Sequence, residues 1–209
     1  MKYPIGIQSF EKIINEGYLY IDKTKMIYDL IHDGNIYFLS RPRRFGKSLL
    51  VSTLECYFQG KKELFKGLAI DGLETEWKEY PVFRVDFNGK NFTEGSELLK
   101  TLTGFVEMQE AVYGKDPFHD TLGDRFCYVL KSAHEKTGQR VVVLIDEYDK
   151  PLLDVLDTGL ETVVDGQKRK IEDWNREVLK GFYSVFKAAD DHLQFVLLTG
   201  VTKFSQVSV

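Results

Sequence analysis

Apolar runs of four to six residues alternate along the chain with longer stretches whose apolar positions recur at helical spacing. Strands buried on both faces read as unbroken apolar runs, so this alternation predicts an α/β fold: a mostly parallel sheet with helices on both sides. The expected strands are Ile36–Leu39, Val82–Phe87, Val141–Ile145 and Phe195–Leu198. Val141–Ile145 is the most deeply buried of them, because its side chains offer water no polar face. A helix is expected from about Lys23 to His32, capped by Asp22 and ended by Gly34-Asn35, and a second from Lys47 to Gly60. Apolar spacing predicts two more over Glu94–Tyr113 and Thr121–Lys136. A last one places Ile171, Trp174, Val178, Phe182, Val185, Phe186 and Ala189 on one side. The polar, glycine-bearing stretch Asp157–Asp173 reads as a solvated connection. With no repeat, low-complexity tract or Pro-rich linker, residues 35–209 are expected to form one core, on which residues 1–34 pack as a strand and helix segment.

Composition narrows the function classes. A chain of 209 residues with 43% hydrophobic and 13% aromatic content can bury the core of an ordinary domain. Its formal net charge of -4 gives no domain-wide positive field to hold nucleic acid. Cys56 and Cys127 lie far apart without a CxxC pair, and His32, His119, His134 and His192 lack zinc-site spacing, so a reduced protein without a Cys/His metal centre is expected. The longest aliphatic run, Val141–Ile145, is far short of a membrane span, and the expectation is a cytoplasmic protein with no membrane partner.

The chemistry concentrates in two places. Between the first strand and the helix after it lies Ser40-Arg41-Pro42-Arg43-Arg44-Phe45-Gly46-Lys47-Ser48, whose end is the GK[ST] of a Walker A loop. There, successive backbone N–H groups and the positive end of a helix wrap an anionic phosphate. Arg43, Arg44, Phe45, Gly46, Lys47, Ser48 and Leu49 are the expected nucleotide-binding residues. Gly46 lets the backbone approach, Lys47 supplies charge to the outer phosphates, and the Ser48 hydroxyl is a magnesium ligand. The first glycine of GxxxxGK[ST] is replaced by Arg41, and a GKS tripeptide alone also fits an exposed turn; its position between a buried strand and an amphipathic helix favours the phosphate reading.

The second place is Val141-Val142-Val143-Leu144-Ile145-Asp146-Glu147, an apolar strand ending in two acids, which is a Walker B pattern. In an open α/β sheet ligands bind at the carboxyl ends of the strands. Asp146 would hold magnesium there, and Glu147 would act as general base on the attacking water. Thr199, closing the strand Phe195–Leu198, is the candidate sensor of a γ-phosphate, although a Thr-Gly strand exit is an equally ordinary reason for it.

With these segments the chain resembles the AAA-ATPase-like family of bacterial and archaeal P-loop proteins along nearly its whole length. The marks are Ile5-Gly6 and Phe10, Tyr20-Ile21-Asp22-Lys23-Thr24, the loop Arg41–Ser48, Asp146-Glu147-Tyr148-Asp149-Lys150-Pro151, and Leu198-Thr199-Gly200-Val201 with Lys203-Phe204-Ser205. Arg41 in place of the first Walker glycine is usual in that family. The resemblance implies a three-layer P-loop NTPase of the ASCE type with strand order 5-1-4-3-2. It implies further a longer polypeptide that continues into a helical region and a PD-(D/E)XK nuclease-like domain, through which alone nucleic acid would be contacted. This chain would then lack the last strand and the C-terminal lid. Its first strand would lie at an open edge, a setting for self-association, unless the segment around Tyr18–Ile21 covers it.

The resulting expectation is an ATP- and magnesium-dependent domain that hydrolyses ATP as a conformational switch, with a nucleotide-binding regulatory module of negligible turnover as the alternative. A homo-oligomer is compatible with either. By analogy with related P-loop folds, Ile21 or Lys23 is expected to line the adenine. A nucleic-acid surface built from Arg41, Arg43, Arg44 and Lys168-Arg169-Lys170 is disfavoured by the acidic balance and the lack of an aromatic platform.

Overall fold

The computed structural model describes residues 2–203. In chain order the elements are α1 (Phe10–Asn15), α2 (Thr24–Asp33), β1 (Ile36–Ser40), α3 (Lys47–Phe58), β2 (Val82–Asp86), α4 (Glu97–Tyr113) and α5 (Leu122–Thr137). They continue with β3 (Val141–Asp146), α6 (Lys150–Leu153), β4 (Glu161–Val164), β5 (Gln167–Lys170), α7 (Ile171–Ala188) and β6 (Leu193–Gly200), with short 3-10 turns at Lys62–Phe65, Ala69–Gly72 and Asp190–His192. Four strands form one parallel sheet in the order β1-β6-β3-β2. The sequence pattern therefore gave the right layers, and the spatial order agrees with the expected one over the four strands present.

Side chains alternate across each strand, and the two faces bury separate cores. On one face Phe83, Val85, Val143, Ile145, Val196 and Leu198 pack against α4, α5 and α7, where Phe126 and Phe182 stack with centroids 4.5 Å apart. On the other, Val142, Leu144, Phe195 and Leu197 meet Phe10 of α1, Ile27 of α2, and Val51, Leu54 and Phe58 of α3. Every residue of β3 is buried, whereas β1 pairs only with β6 among the described residues and leaves Ile36 at 42% and Phe38 at 39% exposure. Among the described residues no helix is long and apolar enough to cross a membrane.

Several boundaries move. Lys23, not Asp22, occupies the cap position of α2, yet the Asp22 carboxylate still accepts the Thr24 N–H at 2.8 Å. The first long central helix starts at Glu97 rather than Glu94, and α1 and α6 are too short to carry a helical period. On α7 the buried face is centred on Asn175, Leu179 and Tyr183, with Trp174 and Val178 at its margin. The segment expected to be a solvated connection folds instead into the antiparallel hairpin β4–β5. Asp165 (φ 50°) and Gly166 (φ 79°) both sit in the left-handed region that a two-residue hairpin turn requires. Of the family marks, Phe204 and Ser205 lie outside the described residues.

Candidate functional site

The parallel register brings the carboxyl ends of all four strands to one rim. Leu39 pairs with Thr199, Ser40 with Gly200, Ile145 with Leu198 and Asp86 with Asp146. The loop leaving β1 starts there, with the Arg41 N–H donating to the Gly200 carbonyl at 3.0 Å. It turns through two left-handed residues, Arg44 (φ 66°) and Gly46 (φ 77°), before α3 begins. Gly46 is at the cap of α3 and has no side chain with which to cap it. The first bond of the helix runs from the Leu50 N–H to the Gly46 carbonyl at 2.9 Å, so the N–H groups of Lys47, Ser48 and Leu49 face the loop with no helical acceptor. A helix start of this kind is the positive pole that attracts an anion.

Residues Arg41–Gly46 are exposed, but Lys47 is 5% exposed and turns inward. Its ammonium donates to the carbonyls of Arg41 at 3.0 Å and Pro42 at 3.2 Å, so it stands inside the loop's mouth. The loop thus wraps a positive charge with its own carbonyls on one side and unengaged N–H groups on the other.

The acidic strand end is built differently. Asp146 is completely buried; its Oδ1 accepts the Thr199 hydroxyl at 2.5 Å and the Glu147 N–H at 3.1 Å. Its Oδ2 has no hydrogen-bond partner among the described residues. A buried carboxylate oxygen left bare costs free energy unless a cation or solvent meets it. Of the residues present, this oxygen and the Ser48 hydroxyl at the start of α3 have the chemistry of magnesium ligands. No three acidic, Cys or His groups converge into a cage among the described residues.

Glu147 has φ 52°, a left-handed conformation unusual for a side-chain-bearing residue. Partial burial raises its carboxyl above the ordinary glutamate range, and the Asp146 charge raises it further. Lys47 and Arg43 oppose the shift, and Asp149 adds to it. The loop cations and the strand acids thus act on the same carboxylate, although they lie far apart in sequence. A partly buried carboxylate with a raised pKa has the chemistry of a general base.

The residues expected at the site lie along this rim: Arg43, Arg44, Phe45, Gly46, Lys47, Ser48 and Leu49 on the loop and helix start, Asp146 at the end of β3 with Glu147 just beyond it, and Thr199 on β6. Thr199, read from the sequence as a phosphate sensor, here fixes Asp146 through its hydroxyl. Ile21 is 71% exposed in a segment pinned by Asp22, whose Oδ2 accepts the Ala69 N–H at 2.7 Å.

Asp149, one of the family marks, has a structural task that the sequence did not reveal. It is buried, and its Oδ2 accepts the Val201 N–H (2.8 Å), the Thr202 N–H (2.7 Å) and the Thr202 hydroxyl (2.8 Å), clamping the chain as it leaves β6. The Tyr148 hydroxyl donates to the Thr202 carbonyl at 3.0 Å, and its ring lies where a Cβ on Gly200 would come within 2.6 Å. The available signal was the Thr-Gly-Val-Thr run closing a buried strand, where glycine allows a close approach.

A family model described as "Predicted AAA-ATPase" matches residues 4–209. The chain is also 40% identical over 210 residues to a curated protein of Azotobacter chroococcum mcd 1, described as "Uncharacterized protein in vnfD 5'region". The match takes in 100% of this chain and 39% of that protein, so the chain spans about two fifths of its relative's length. No solved structure matches at a significant level.

Proposed function

The chain belongs to the predicted AAA-ATPase family, and on that premise we propose that it binds ATP with magnesium and hydrolyses it as a conformational switch. The observation that carries this reading is the convergence on Glu147 of Lys47 and Arg43 from the loop with Asp146 from the strand end. The sheet order, with β6 between the loop strand and the acidic strand, supports the ASCE type of P-loop NTPase.

In this reading the N–H groups of Lys47, Ser48 and Leu49 cradle the phosphates, and Lys47 gives up its loop carbonyls for the outer phosphate oxygens. The Ser48 hydroxyl and Asp146 hold magnesium, which when bound offsets the negative charge of the phosphates. Glu147 takes a proton from the attacking water as its oxygen bonds to the γ-phosphorus and the bond to the β–γ bridging oxygen breaks. Thr199 keeps Asp146 oriented. Ile21 or Lys23 lines the adenine, since the pinned segment carries an apolar side chain into the open.

The Asp149 clamp supports a switch role, because it ties the acidic strand end to the chain that leaves β6. In the full-length protein the responding element would be the helical region and nuclease-like domain that the family resemblance implies. Steady-state phosphate release by the full-length protein tests the reading: it should be magnesium-dependent and largely lost in Glu147→Gln. Phosphate release unchanged in that variant would overturn the assignment of the base, and ATP affinity without release would leave a regulatory module instead.

A further inference from the structure

The proposed ATP site draws on β1, β3 and β6, and the remaining strand of the sheet, β2, also ends in an acid. Asp86 is the last residue of β2 and stands in register with Asp146 on β3. Two residues earlier, Arg84 reaches α3, where its guanidinium meets Glu55 at 2.6 Å. Strand alternation puts Asp86 on the same side as Arg84, the side of α3 and the loop. Asp146 follows Ile145, which packs on the opposite face, so it too is directed to the α3 side.

Parallel neighbours lie about 4.8 Å apart, and like charges directly opposite one another destabilise a sheet. The pair is only partly offset. Arg84 is 3.8 Å from Asp86 but already committed to Glu55, and the Asp86 Oδ1 accepts the Asn88 N–H at 2.8 Å. Next to this pair lies the bare, fully buried Oδ2 of Asp146. A divalent cation carrying its own waters is the ligand that such a pair would accommodate.

Building on the ATP reading, we infer that Asp86 is a positioning residue of the same site, holding a magnesium-bound water across from Asp146 and so strengthening metal-dependent nucleotide binding. Its cap on Asn88 is a separate, structural task. Asp86→Asn keeps an acceptor for that N–H while removing the charge, and Asp86→Ser does the same with a shorter side chain.

The test is calorimetry of ATP binding to the full chain, once with magnesium and once with EDTA, with thermal melts alongside. In EDTA the parent and Asp86→Asn should bind ATP equally. With magnesium, Asp86→Asn and Asp86→Ser should each bind about tenfold more weakly than the parent, and Asp86→Glu should recover part of the loss. Without metal, Asp86→Asn should melt within a few degrees of the parent, because Asp86 is exposed and the amide keeps an acceptor for the Asn88 N–H. Equal magnesium dependence in parent and Asp86→Asn would overturn the inference, as would a loss of the same size in EDTA. If the parent itself shows no magnesium-dependent affinity, the ATP reading fails and takes this inference with it, an outcome visible in the parent alone.

Discussion

The two halves of the site differ in how they are held. The loop from Arg41 to Gly46 is exposed and braced mainly by Lys47 donating to its own carbonyls, with the helix start left uncapped. The acidic end of β3 is buried and cross-tied: Asp146 to Thr199, Asp149 to Val201 and Thr202, Tyr148 packed against Gly200. A ligand has most to add where the protein's own groups are unengaged, and least where they are already fixed. The loop should therefore be the part that binding completes, and the strand end the preorganised part against which chemistry occurs. Changes in the loop should cost affinity with little effect on the fold, whereas changes behind the strand end should cost stability.

Glu147 stands at the junction and carries the largest expected effect. Glu147→Gln should lower phosphate release by about 100-fold or more, the range for loss of a general base. The base acts only when deprotonated, so the parent's rate should fall as pH drops through a value above the ordinary glutamate range, the direction in which burial and Asp146 move this carboxyl. The stability sign is opposite. A carboxyl whose folded pKa is raised favours the fold below its unfolded pKa, and that contribution is lost as pH rises through the folded pKa. Glu147→Gln should thus melt no lower than the parent at neutral pH and lose any advantage on acidification, which paired melts would measure.

Next comes the clamp. Asp149→Ala leaves two backbone N–H groups and the Thr202 hydroxyl without their acceptor and should destabilise the fold by roughly 2–4 kcal/mol. Gly200→Ala should also destabilise, because its Cβ would press on the Tyr148 ring and the Asp149 carboxyl carbon. Chemical denaturation of both variants checks this, and melting like the parent would remove the contrast between the two halves. The smallest effect is in the loop: Arg44→Gly relieves a left-handed backbone and should change stability by no more than about 1 kcal/mol, in the stabilising direction.

The sheet and the site were legible in the sequence for different reasons. β3 and β6 could be read because burial on both faces leaves unbroken apolar runs, and the loop and acids because each sits at the end of such a run. The β4–β5 hairpin was not read: Glu161–Val164 and Gln167–Lys170 are largely polar and make no core, so only the Asp165-Gly166 turn marked it. The burial of Asn175 was hidden because a polar residue on a helix gives no apolar signal. Its side-chain NH2 instead donates to the Pro151 carbonyl at 2.9 Å, a contact between distant elements. The Asp149 bonds to Val201 and Thr202 and the register of Asp86 with Asp146 were hidden likewise, since they depend on the path of the chain after β6 and on strand pairing.

If the loop around Lys47 is a phosphate site completed by its ligand, Lys47 serves the ligand and not the fold. Titration calorimetry of magnesium-ATP into the parent and Lys47→Ala, with melting curves of both, tests it most directly. Lys47→Ala should weaken binding by about 2–3 kcal/mol, roughly 30- to 150-fold, while the two free proteins melt within a few degrees of each other. Equal affinity in the two proteins, with matching melts, would contradict it.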